Sequence, residues 1–351
     1  MKSRIMSFAA LAVAATCVSP VSQSVAADYV MKIATGTPAD PMAMPASAAL
    51  AIFEDKAELY TGGRVDVQIF PDGQLGDQLS GLQQVKSGEI QGSELAMGVM
   101  ANLFPKITFT DLPYVMPDMK VAQELYRRDN PFMKKILKEL QDKTGVGILF
   151  FSPQAYRHLT NSKRPVKALE DMKGLKVRTM QVKPHILMFN AAGAQATPVP
   201  WLEVYTSLQT GVVDGQENPL ATIRASNFHE VQKYITLTQH VHLVGAVTFN
   251  VEWFKSLPED VQYALMKAGD EARVGSEALA PLYDIVNAKW LREKGIEIDQ
   301  PTSDEIAKFK AVMQPPAFDW FKKNVDGGAA LLDDLQKEIE RIQAGYKELV
   351  Y

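Results

Sequence analysis

The stretch "GLKVRTMQVKPHILMFNAAGAQATPVPWLEVYTSLQTGVVDGQENP", Gly174 to Pro219, decides the fold, because its hydrophobic period switches repeatedly between two and 3.6. "LKVRT" alternates, with Leu175 and Val177 on one face and Lys176 and Arg178 on the other. A helix opened by Pro184 follows, then the strand-like "ATPVP", a helix from Trp201 to Gly211 and a strand "VVDGQ". Strands alternating with helices imply βαβ units and a mainly parallel sheet. The polar ending can be read in two ways. Asp214 and Gly215 are turn formers and Pro219 stops what precedes it, or the same residues belong to a site.

The same alternation runs upstream. "DYVMKIATG" reads as a strand and "MPASAALAIFEDKAELYTGG" as a helix closed by Gly62 or Gly63. "RVDVQIFP" is a second strand, and "LGDQLSGLQQVKSGE" a helix ending at Gly88. The apolar run "GVGILFF", Gly145 to Phe151, fits a buried central strand. From Ser256 the chain reads as a long helix with a Ser256/Glu259 capping box and a stop at Gly295. Pro281 makes it either one kinked helix or two in succession. Unbroken, it would exceed about 50 Å and could brace two domains.

The first residues carry Lys2 and Arg4, an apolar core from Phe8 to Val18 and small residues from Ser24 to Ala27, the pattern of a cleaved secretory signal. That core is too short to span a bilayer, where about 20 apolar residues are needed. Cleavage is expected near Ala26 or Ala27, giving an exported, periplasmic protein. The only cysteine, Cys17, would leave with the signal, so the mature chain has no thiol for disulfides or nucleophilic catalysis. A lipid-anchor reading of "AATC" is disfavoured, because Thr16 stands where such signals prefer Gly, Ala or Ser.

Loss of Lys2 and Arg4 moves the formal charge from -4 to -6, which makes nucleic acid a poor partner. The 324 residues left when 27 of 351 are removed exceed what one core organises, so two domains are expected. No nucleophile elbow, Walker loop, dinucleotide fingerprint or H-E-x-x-H motif occurs. His158, His185, His229, His240 and His242 show no metal-ligand spacing with cysteine. Satisfied structural histidines are expected at 240 and 242. No metal and no cofactor are expected.

What remains is a set of residues at the carboxyl ends of strands, where open α/β sheets bind ligands. Arg178 is the first, because a guanidinium offers a planar, permanently charged fork matched to a carboxylate. Trp201 and Asn218 fall on the same rim, an indole to wall the site and an amide to donate to a ligand oxygen. Taken singly, each has a bland reading as a surface arginine, a core tryptophan or a turn asparagine. Their convergence favours a site.

The blocks "FPDGQLGDQLSGLQQVKSGEI", "YRHLTNSKRPVKALEDMKGLKVRTM" and "GAQATPVPWLEVYTSLQTGVVDGQENPL" resemble the solute-binding subunits of tripartite ATP-independent periplasmic (TRAP) transporters. The resemblance covers essentially the whole mature chain. It implies an α/β periplasmic-binding-protein-like fold of two domains, joined by hinge strands and braced by a long helix. It also implies that Arg178 is the principal carboxylate clamp, that Arg157 lines the site, that Trp201 packs on the ligand and that Asn218 points into the cleft. Where the sialic-acid-binding branch has an acidic and a basic contact, this chain has Ala96 and Val99, so sialic acid is disfavoured. "ELAMGVM" suggests an apolar wall there, suited to a compact or partly apolar acid. Lys183 and His240 are candidates to neutralise a second acidic group, beside solvated-surface and structural readings.

The expected partition is residues 28–153 with 243–283 in one domain and 154–242 with 284–351 in the other. The expected function is capture of an organic acid anion by hinge closure, for delivery to a TRAP membrane permease, by a monomer without catalytic turnover. Two rivals stand beside it: a binding protein for an ATP-driven importer, and a secreted hydrolase or lyase using Glu217 or Glu203 as general base.

Overall fold

The computed structural model describes residues 27–347, so the signal-peptide expectation lies almost entirely outside the described residues. Among the described residues, eleven strands form two sheets. The first holds β1 (Tyr29–Thr35), β2 (Val65–Phe70), β3 (Gly92–Ala96), β4 (Val146–Tyr156) and β10 (His242–Asn250), in the order β2-β1-β3-β10-β4. The second holds β5 (His158–Asn161), β6 (Lys176–Thr179), β7 (Gln195–Pro198), β8 (Gly215–Asn218), β9 (Tyr234–Thr236) and β11 (Glu297–Asp299), in the order β11-β9-β5-β8-β6-β7. Both sheets are mixed. β1 is parallel to β2 and β3, and β6 is parallel to β7 and β8, but β10 runs antiparallel to both its neighbours and β5 antiparallel to β8 and β9.

That mixture follows from how the chain crosses between sheets. β4 passes into β5 with only Arg157 between them, and β9 leads back into β10, so each crossing inserts a strand of reversed direction. Arg157 N–H donates to Val241 O at 2.8 Å, which ties the two crossings together. β4, expected as a central strand, is instead the last of its sheet, although Leu149, Phe150 and Phe151 are fully buried. Its apolar run reflects cover on both faces rather than a central position.

Local chemistry closes the elements where the sequence indicates. Asp77 caps the helix Gln78–Ser87 by accepting from Ser80 N–H at 2.8 Å, and Gly88, at φ 81°, ends it in the left-handed conformation. The strand expected as "VVDGQ" begins only at Gly215, since Asp214 is used as a tie: its N–H donates to Lys176 O and its Oδ2 accepts from Lys176 N–H. Gly215 is obligatory for packing, because a Cβ there would lie 2.0 Å from Thr160 O of the adjacent β5.

The long helix is a single element, Glu259–Glu293, with Pro281 inside it. The Ser256/Glu259 capping box is absent: Ser256 closes the preceding short helix, donating to Trp253 O at 2.6 Å, and Pro258 occupies the cap position. Leu265, Ala268 and Ala272 pack with Phe53 and Phe150 in the core of the first sheet, whereas Leu291 joins Ile223 and Phe228 in the core of the second. One rigid helix therefore reaches both. The helix Gly328–Lys347, grouped from sequence with the second domain, places Leu332, Leu335 and Ile339 in a core with Phe104, Met133 and Phe151 of the first sheet.

Candidate ligand-binding site

Between the sheets lies a cavity of about 140 Å³ whose lining includes Arg157, Arg178, Trp201, Asn218, Ala96 and Val99. Lys176 and Arg178 share one face of β6, but Lys176 at the start of the strand stays exposed while Arg178, two residues on, is buried at the cavity. Its Nε and Nη2 donate to Val199 O at 3.0 and 2.7 Å, so the backbone just before Pro200 and Trp201 fixes the plane of the guanidinium. Only 3% of the residue is exposed, and among the described residues no carboxylate pairs with it. Burial pulls its pKa down to about 9, which leaves it cationic at neutral pH. A buried cation without a counter-ion is a site waiting for an anion.

Arg157, by contrast, is neutralised. Its Nε and Nη2 clasp the carboxylate of Glu217, the Nη2 contact at 2.8 Å, and Nη2 also donates to Glu217 O at 2.6 Å. Glu217 is fully buried and receives further contacts from His240 Nε2 at 3.0 Å and His185 Nδ1 at 3.3 Å. His185 Nε2 reaches Asp111 Oδ1 at 3.1 Å, and His240 Nδ1 meets Thr238 Oγ1 at 2.7 Å. Against the cost of its burial, Arg157 and the two histidines hold Glu217 well below the usual carboxylate range. Each carboxylate oxygen is occupied and the side chain does not line the cavity, so Glu217 cannot serve as a general base. Glu203 is exposed and equally outside the cavity.

Trp201 is half-buried, set edge-on to Phe228 with ring centroids 5.6 Å apart, and its ring lies 5.9 Å from the Arg178 guanidinium carbon. Its Nε1–H donates to Gly36 O at 2.9 Å, a bond from the second-sheet side to the segment after β1. Asn218, at the end of β8, is buried and donates from Nδ2 to Gln216 Oε1 at 2.6 Å.

Five of the seven residues singled out from sequence thus line one cavity. Lys183 and His240 do not. Lys183 is exposed at the start of the helix Lys183–Ala191, and His240 is fully buried behind Glu217 as part of the ion network. His242 also departs from expectation: it is buried, but neither ring nitrogen has a partner among the described residues, and its ring stacks near Tyr126 and meets Tyr156 edge-on. The wall at "ELAMGVM" is mixed rather than apolar, since Glu94, Gln154, Gln78, Asn102 and Thr37 line the cavity with Ala96 and Val99. Glu94 had a signal in the sequence, a lone acid in the short strand "GSELA". Gln154 had none.

The buried histidines give a stability prediction. Burial holds His158 and His242 down to about 3, so both are neutral in the fold, whereas the unfolded chain protonates them near 6.5. Their contribution is complete above pH 6.5 and is lost as pH falls from there toward 3. The slope is about 1.4 kcal/mol per pH unit for each. His185 has the opposite sign, being raised by Glu217 and Asp111, so its contribution fades only as pH rises past 6.5. Urea unfolding at pH 7, 6 and 5 should show the acid loss, and His242→Phe should make it shallower by about one proton.

Two sheets, crossing strands, one bracing helix and an anion-seeking cavity between them define a bilobal solute-binding protein. A model of the family described as "Bacterial extracellular solute-binding protein, family 7" matches residues 39–324, and the chain belongs to this family. A solute-binding protein of Verminephrobacter eiseniae is 34% identical over 270 residues, covering 76% of this chain and 78% of that one. The 2,3-diketo-L-gulonate-binding periplasmic protein YiaO of Escherichia coli is 30% identical over 291 residues, covering 83% and 86%. A sugar acid binding protein of Advenella mimigardefordensis, solved with galactonate, superposes with a TM-score of 0.84 at 27% identity, covering 91% of this chain and all of that one. The fold is accordingly the two-domain α/β fold of these binding proteins, and the chain is a binding protein, not an enzyme.

Proposed function

We propose that this chain captures an organic acid anion, a carboxylate of the kind that includes sugar acids and dicarboxylates, in the cavity at Arg178 and delivers it to the membrane permease of a TRAP transporter. The observation that carries the reading is Arg178 itself, a buried cation held in plane by Val199 O and paired with no carboxylate among the described residues. Asn218 offers an amide that lines the same cavity, Trp201 an aromatic wall, and Ala96 and Val99 apolar surface; Arg157 lines the cavity with its charge paired to Glu217. The family is that of extracellular binding proteins, and relatives carry periplasmic names, which supports export and a periplasmic location. We assign cleavage near Ala26 or Ala27 and a monomeric state on the sequence pattern. Two lobes built on the two sheets, with Gly328–Lys347 packed on the first, would open and close about the Arg157–Val241 crossing. Mass spectrometry of ligand released from gently purified protein tests the assignment: a carboxylic acid is expected, and an uncharged or cationic ligand would overturn it.

Closure makes a specific demand on Trp201. If its bond to Gly36 O forms as the lobes close, Trp201→Phe should keep the aromatic wall and lose the latch. Affinity should drop about two- to tenfold, the worth of one net hydrogen bond, chiefly through faster dissociation in stopped-flow fluorescence. An unchanged dissociation rate would mean that the bond does not depend on closure.

A further inference from the structure

The first-sheet wall of the cavity carries a polar atom, Gln154 Oε1, that no described residue pairs with. β4 and β10 slip register where Leu243 pairs with Ala155 but Val244 with Pro153, so Gln154 is the extra residue of a bulge. Bulges re-aim side chains, and Gln154 lines the cavity although only 3% of it is exposed. Its Oε1 is buried with no partner. Across β10, Glu94 of β3 is 2% exposed, with Oε2 accepting from Thr35 Oγ1 at 2.7 Å. Gly245 separates the two: a Cβ there would lie 3.1 Å from Gln154 Nε2 and 3.1 Å from Glu94 Oε1. The absence of a side chain at 245 keeps this pair of polar groups side by side and open to the cavity.

We propose that Glu94 and Gln154 form a hydroxyl-recognition subsite, so that the preferred ligand is an acid bearing hydroxyl groups along its chain rather than an unsubstituted acid or a dicarboxylate. This rests on the reading of Arg178 as the carboxylate clamp. A hydroxyl both donates and accepts, and so can pair with the Gln154 amide and the neighbouring Glu94 carboxyl together. A second carboxylate only accepts, and would lie against Glu94 and near Asp77, which also lines the cavity. An ammonium group would share the cavity with Arg157 and Arg178. Burial pushes Glu94 up to about 7, so near neutrality the group is as much an O–H donor as an anion. Leaving a buried amide unpaired is costly, which makes such a site discriminate strongly against a ligand lacking the hydroxyl.

The test is calorimetric titration at pH 7 of the mature protein, stripped of ligand by reversible unfolding, with matched four- and six-carbon sets. These are erythronate, butyrate and succinate, and gluconate, hexanoate, adipate and 6-aminohexanoate. At least one hydroxylated acid should bind ten times more tightly than its unsubstituted and dicarboxylate counterparts. Gln154→Leu and Glu94→Leu should reduce that preference below threefold, and a cooperative urea-unfolding transition of each apo variant shows that it folds. Glu94→Gln, neutral and of the same shape, should retain most of the preference. Equal wild-type affinity for hydroxylated and unsubstituted acids would overturn the subsite and leave the acid receptor standing. Tenfold preference for 6-aminohexanoate over gluconate would overturn it in favour of an ammonium site. If no acid in either set binds, both readings fall together.

Discussion

Arg178→Lys is expected to weaken binding of the acid at least about a hundredfold, close to 3 kcal/mol, while the apo protein remains folded. Arg178 does two jobs with one planar group: Nε and Nη2 hold Val199 O, and the side chain lines the cavity. Lysine has a single nitrogen at the end of a flexible stem and cannot hold the carbonyl and present a two-pronged fork to a carboxylate. It also gives up its proton far more readily when buried, so part of the variant population would lose the charge altogether. Calorimetric titration of the variant with the ligand identified from wild type measures the loss. Unchanged affinity would remove Arg178 from the clamp.

Glu217→Ala should have the largest effect on stability, a loss of about 3–5 kcal/mol in urea unfolding of the apo protein. The carboxylate is the shared anion for Arg157, His185 and His240, all buried, and its removal strands a fully desolvated guanidinium. The cost lies in that stranded charge rather than in lost attraction. The double variant Arg157→Met/Glu217→Leu should therefore recover a good part of it, and failure to recover would show that the network is needed for packing in its own right. The sign of the pH effect is fixed by the low pKa of Glu217: its contribution is present above the ordinary carboxylate range and lost as pH falls through the folded value.

The polar ending from Asp214 to Pro219 serves both as a turn and as part of a site. Asp214 ties β6 and Gly215 fits under Thr160 O, which is turn and packing chemistry; Glu217 anchors the buried ions; Asn218 alone reaches the cavity. Period-two alternation put Lys176 and Arg178 on one face of a short strand but could not say that the first stays exposed and the second is buried. The same logic could not separate His240 from the ligand site. Its position near Glu217 depends on β10 returning beside the start of β5, a pairing between segments far apart in sequence.

By itself the sequence determined the element types, the helix ends at Gly62 and Gly88, and the rim that carries Arg178, Trp201 and Asn218, because period and turn chemistry are local. It did not determine which strand ends a sheet, whether Pro281 divides the long helix, or whether a polar residue faces ligand or a buried partner. Those outcomes hang on which distant segments meet. Gln154 shows the reason most directly: it enters the cavity only because β4 and β10 pair with one residue to spare, and no period in either strand encodes that slip.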